Sequence, residues 1–139
     1  MGLFKKINFS FKASCYFVGL YFISISLYGQ KQAFQEAFIF PSQGQHVHSS
    51  SIVELPNGDL LSCWFQGSGE RTANDVVVNG SRLKKGSKTW SAPFVLADTP
   101  GQPDCNPVLF LDGKGKLYLF WVVVQANSWE RSILKYKVS

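Results

Sequence analysis

Few side chains in this sequence can move protons or grip charge, and the candidates fall between His48 and Trp129. The chain holds 9 Asp and Glu and only 2 His. Glu70 and Asp75 flank a short polar stretch after a Gly-rich run, and a carboxyl held there could act as general acid or base if its pKa were raised. His48 carries an imidazole, a side chain that can serve as acid or base near neutral pH. Arg71 and Arg82 carry guanidinium groups, which grip a planar anion through two parallel hydrogen bonds. Asn106 offers a carboxamide beside Pro107, and Trp129, ahead of Glu130-Arg131, offers an indole for stacking. His46 falls in the lead-in and is set aside. Lys84, Lys85 and Lys88 read as a solvated turn. No metal-ligand spacing is present.

The elements that must position these residues are strands. From Ser49 onward, short runs rich in β-branched and aromatic residues alternate with Gly, Pro, Asn and Asp. Ser50 to Leu55, the turn Pro56-Asn57-Gly58-Asp59, and Leu60 to Phe65 make a hairpin, because an Asn-Gly pair tolerates φ > 0 at both central positions. Asp75 to Arg82 and Thr89 to Leu96 supply a third and fourth strand. Four strands in succession make an antiparallel meander. No window of helical periodicity competes.

The pattern then starts again. Asn106 to Leu111, the turn Asp112-Gly113-Lys114-Gly115, and Leu117 to Val122 repeat the hairpin. Ile52 maps to Val108 and Leu55 to Leu111 at an offset of 56; Leu60 maps to Leu117 and Trp64 to Trp121 at 57, with one residue inserted in the turn; Val76-Val77 maps to Ile133-Leu134 at 57. Trp64 and Trp121 are therefore core residues. Four-stranded units at roughly this period are the mark of β-propeller blades. The fold class is all-β, with blade one over residues 48–97 and an incomplete blade two over 105–139. A closed propeller has about four to eight blades, so the chain reads as the N-terminal part of a longer product, with a free-standing small β-sandwich as the alternative.

Residues 1–29 read as a secretory signal, with Lys5, Lys6 and Lys12 ahead of the apolar run from Tyr16 to Leu27, and 30–47 as a lead-in. An uncleaved anchor is the alternative for the first segment. Without those three lysines, 11 basic residues face 9 acidic ones, so the formal +5 does not imply nucleic acid. The expected location is periplasmic, cell-surface or extracellular, without stable membrane insertion after cleavage. Export leaves Cys63 and Cys105 as the available pair, and a disulfide and two buried free thiols both stand.

Taken in order, the run from His48 through Pro56-Asn57-Gly58-Asp59, then Trp64-Phe65, Gly67, Glu70, Asp75-Val76, Ser81-Arg82, Thr89-Trp90-Ser91, Pro93 and Asn106-Pro107-Val108-Leu109-Phe110, resembles the start of neuraminidases with BNR-type repeats. These are secreted, sialidase-like, glycan-processing bacterial proteins. The Asp-box pattern of sialidases, Ser-x-Asp-x-Gly-x-Thr-Trp, falls on Leu83, Lys85, Ser87, Thr89 and Trp90, of which only Thr89-Trp90 is kept. The Arg-Ile-Pro motif that opens better-known sialidases is absent.

The resemblance implies an exo-glycosidase acting on terminal acidic sugars such as sialic acid. Asp75 would be the first choice for acid/base, with Glu70 competing and His48 beside them. Arg71 and Arg82 would recognise the sugar carboxylate, Asn106 would bond hydroxyls, and Trp129 would stack on the ring. The sialidase nucleophile, a Tyr with a Glu partner, comes from later blades, so the isolated chain is expected to be inactive. No cofactor is implied. Related propellers act on rhamnose and uronate polysaccharides, as glycosidases or lyases, and a noncatalytic glycan-binding propeller is the reading from another class.

Overall fold

In the computed structural model, residues 34–139 are described, and from Ala37 onward they form one compact unit. The expected signal and Cys15 lie outside the described residues. Seven strands occur in chain order: β1 (His46–Glu54), β2 (Leu60–Gly67), β3 (Val77–Leu83), β4 (Phe94–Ala97), β5 (Asp104–Leu111), β6 (Leu117–Val123) and β7 (Ile133–Val138). They form two antiparallel meanders, β1-β2-β3-β4 and β5-β6-β7. A single 3-10 turn, Trp129–Arg131, separates β6 from β7. No helix of the described residues is long and apolar enough to cross a membrane.

The all-β class and the two blade-like units therefore stand, with three corrections in detail. First, β1 begins at His46, so the last two residues of the expected lead-in belong to the sheet. Second, β4 is confined to Phe94–Ala97, and Thr89-Trp90 lies in the connection before it. The third concerns the repeat. Ile52 pairs with Ser62, and Leu109 with Leu119, so Ile52 corresponds to Leu109 and the whole hairpin repeats at 57. The two turns are equally long: Gly58 N–H donates to Leu55 O at 2.8 Å, and Gly115 N–H to Asp112 O at 3.0 Å. In each, the Gly alone takes positive φ, 83° and 82°, so Asn57 stays in ordinary backbone space. The extra residue sits elsewhere. Gln66 pairs with Val77 and Val123 with Ile133, so it is the β2–β3 loop that is one residue longer than its counterpart.

Both inner strands carry a bulge at the same register position. Pairing shifts between His48 and Ser51 in β1 and between Cys105 and Val108 in β5, with Ser49 at φ 52° and Asn106 at φ 49°. A bulge re-aims the side chains beside it.

Strand alternation sends Leu61 and Cys63 toward the second sheet, where they meet Leu109, Leu119, Trp121 and Val123. A second buried cluster, Phe65, Val76, Cys105 and Val124, closes the end of the unit nearest the β2–β3 loop. Leu109 N–H also donates to Ser51 Oγ at 3.0 Å, tying the two inner strands directly. On the opposite face of the first sheet, Trp64 is buried and stacked on Phe40 of the lead-in at 4.6 Å between ring centroids. Both repeat tryptophans are thus core residues, and burying such a ring contributes about 2–3 kcal/mol. The outer face of the second sheet carries a row of rings, Phe110, Tyr118, Phe120 and Tyr136, each within about 6 Å of the next.

Candidate functional site

In an antiparallel meander, the start of the first strand and the loop between the second and third lie at the same end. That rule brings His46 and His48, at the start of β1, to the β2–β3 loop that carries Glu70 and Arg71. His48 Nδ1 stands 3.9 Å from Glu70 Oε1, and Arg71 Nη1 stands 4.0 Å from Glu70 Oε2. The two carboxylate oxygens therefore face different groups, an imidazole and a guanidinium. Arg71 also lies over the Trp129 ring, 6.0 Å from its centroid, so the first unit and the β6–β7 connection of the second contribute to one site.

The floor of this site is apolar and rigid. The imidazoles of His46 and His48 pack on Phe65, with centroids at 5.9 and 5.8 Å, and Phe65 is wholly buried. Cys105, also buried, contacts Glu70 O through its sulfur at 3.7 Å. Burial pushes the Cys105 thiol up to about 12, and the nearby Glu70 carboxylate adds to that. Cys63 is likewise raised to about 12 by burial. Both thiols are free, so of the two states open to them the unbridged one is found. Neither forms a thiolate near neutral pH, which removes both as nucleophiles.

Asp75 is bonded within its own loop. Its carboxylate accepts from Ser68 N–H at 3.1 Å through both oxygens and from Ser68 Oγ at 2.9 Å. The Ser68 hydroxyl and backbone amide hold its pKa below the ordinary 3.8. Through these bonds Asp75 braces the loop that presents Glu70 and Arg71. The sign fixes a pH dependence. Above 3.8 the brace is fully charged in folded and unfolded chains alike, and its stabilisation is complete; it is lost as pH falls through the lowered folded value. Following the Ser68 amide by NMR during acidification should give a midpoint below 3.8, absent in Asp75→Asn. A midpoint at or above the ordinary value contradicts the assignment.

Arg82 is not part of the site. It lies near the far end of β3, with Nη1 3.9 Å from Asp59 Oδ2 at the β1–β2 turn. Asp59 also accepts from Lys85 N–H at 2.8 Å and from Asn57 Nδ2 at 3.0 Å, so the arginine serves a turn network. Asn106 does reach the correct end, exposed at the β5 bulge next to Cys105. Left-handed backbone suits Asn better than most residues.

His46, Phe65 and Cys105 were not on the list of functional residues that the sequence offered. The signal for His46 was present: in a strand, residues two apart share a face, so His46-x-His48 is a paired presentation. Two grooves lie away from the charged cluster, about 480 Å³ along Ala37 to Val47 and about 610 Å³ between Phe38–Pro41 and Thr89–Pro93. Neither is lined by a carboxylate, imidazole or guanidinium.

Residues 58–139, more than half of the chain, match the family model described as the BNR repeat-like domain. The chain belongs to this family. The BNR repeat-like match runs from the β1–β2 turn to the last strand, so Glu70, Arg71 and Trp129 fall inside it while His46 and His48 lie just before it. No curated protein matches the sequence.

Proposed function

We propose that this BNR repeat-like protein acts on glycans ending in an acidic sugar, with Arg71 gripping the sugar carboxylate, Trp129 stacking on the ring, and Glu70 with His48 as the proton-transfer pair. The observation that carries the reading is the meeting of Glu70, Arg71, His48 and Trp129 at one end of both sheets. A guanidinium beside an indole suits a ligand with one anionic edge and one apolar face. Sialic acid is the sugar to which the family resemblance leads, and a uronate shares the same carboxylate. The polar Lys5, Lys6 and Lys12 segment with its apolar run supports export, where such glycans are met.

Titration of the full chain with a sialylated oligosaccharide, a glucuronate-ended one and a neutral counterpart tests the proposal. The acidic ligand should bind about tenfold or more tightly than the neutral one, and Arg71→Ala should abolish that preference. Equal affinity for charged and neutral sugars would overturn it. Recognition without turnover is the second reading, favoured by the engagement of Asp75 with Ser68. Release of a fluorogenic aglycone that disappears in Glu70→Gln excludes this second reading.

A further inference from the structure

We infer that His46, His48 and Glu70 form a binding site for one divalent transition-metal ion of the zinc class. One ligand atom from each of the three side chains lies within 4.8 Å of the other two. Two imidazoles and one carboxylate are a donor set of borderline softness, the kind that holds zinc with a fourth position open. Zinc–nitrogen bonds of about 2.0–2.1 Å set tetrahedral donors roughly 3.4 Å apart. The observed spacing, including 3.9 Å between His48 Nδ1 and Glu70 Oε1, thus closes onto an ion through small side-chain rotations. His48 is exposed and free to make them.

Three further features fit an ion. His46 Nε2 is buried and has no hydrogen-bond partner, and a buried polar atom left unpaired costs about 1–3 kcal/mol. An ion on this ring would fix its tautomer and orientation and relieve that cost. Glu70 keeps its oxygens apart in role, Oε1 toward His48 and Oε2 toward Arg71, so the arginine can orient the carboxylate from behind while the other oxygen ligates. Both rings pack on Phe65 from a bulged strand, which brings them to one face of the sheet.

An ion would occupy the His48 and Glu70 atoms that the glycan reading uses for proton transfer, so the metal-bound and proton-transferring cluster are alternative states, and the first can be measured with metal alone. Titration of the full chain with Zn²⁺ at neutral pH should show saturable uptake with a dissociation constant of about 1 µM or tighter. His46→Ala and the isosteric Glu70→Gln should each weaken that uptake by about 100-fold. Glu70→Gln, changed at a partly exposed loop position, keeps its far-ultraviolet circular dichroism and so separates lost ligation from lost folding. Absence of saturable binding overturns the inference, as does equal affinity in the unaltered chain and both variants. Zinc uptake without any preference for acidic sugars overturns the glycan reading and leaves the metal site standing.

Discussion

Asp104→Ala is expected to destabilise the chain by about 4 kcal/mol in urea unfolding. Asp104 has no exposed surface, and it accepts from Trp121 Nε1 at 2.8 Å and from Thr99 N–H at 2.5 Å. Its own N–H donates to Val76 O at 2.9 Å. It therefore links the second unit's core tryptophan, the connection out of β4 and the end of the first unit's β2–β3 loop. Removing the side chain leaves the buried Trp121 donor and the part-buried Thr99 amide unpaired, at roughly 1–3 kcal/mol each, and opens a small cavity. Against a typical total of about 5–15 kcal/mol, that is a large fraction. Asp104→Asn keeps the volume and one acceptor, so about half the loss should return. A loss below about 1 kcal/mol in Asp104→Ala would show that the carboxylate is not the anchor these distances describe.

The second large effect belongs to Gly67→Ala, through crowding. A Cβ at Gly67 would lie 2.7 Å from Val76 Cα, 2.8 Å from Val76 Cγ2 and 3.0 Å from Asp75 O. Two of those three atoms are backbone, which no rotamer change can move aside. Forcing such an approach costs about 1–3 kcal/mol, and here it displaces the loop that holds Asp75 on Ser68 and presents Glu70 and Arg71. Gly67→Ala should lower the thermal midpoint by several degrees and weaken acidic-sugar binding together with it. Gly113→Ala is the control, because nothing lies within 4 Å of a Cβ there. If the two variants melt alike, the close approach of β2 to the loop is not limiting.

What could be read before any coordinates follows from what is local. The first hairpin is legible because Pro56-Asn57-Gly58-Asp59 supplies turn residues between two apolar runs. The common end of His48, Glu70 and Arg71 is legible because meander topology allows one arrangement. The repeat offset in β1 was misread because Ile52, Val53, Val108 and Leu109 are chemically alike while their faces are not. Ile52 is exposed on the outer side of its sheet, whereas Leu109, its counterpart, is buried between the two sheets. The task of Asp75 depends on an amide seven residues upstream turning toward it, and that of Arg82 on a turn at the other end of β3. Trp129 could be named from composition, but its partner Arg71 comes from the other unit, which is a tertiary fact.

The paired bulges carry a consequence for how such a chain can change. His48 and Cys105 occupy the same backbone position, each just ahead of a residue at positive φ, yet one is an exposed imidazole and the other a buried thiol under Glu70. The main-chain kink makes no demand on the side chain beside it. Duplicating the unit therefore copies a mounting, and each copy can be loaded separately: one with a group that meets solvent, the next with one that fills the space beneath. Novelty at this end of the molecule can arise by exchanging single residues at a mounting that is already present, while the sheets that hold it stay as they are.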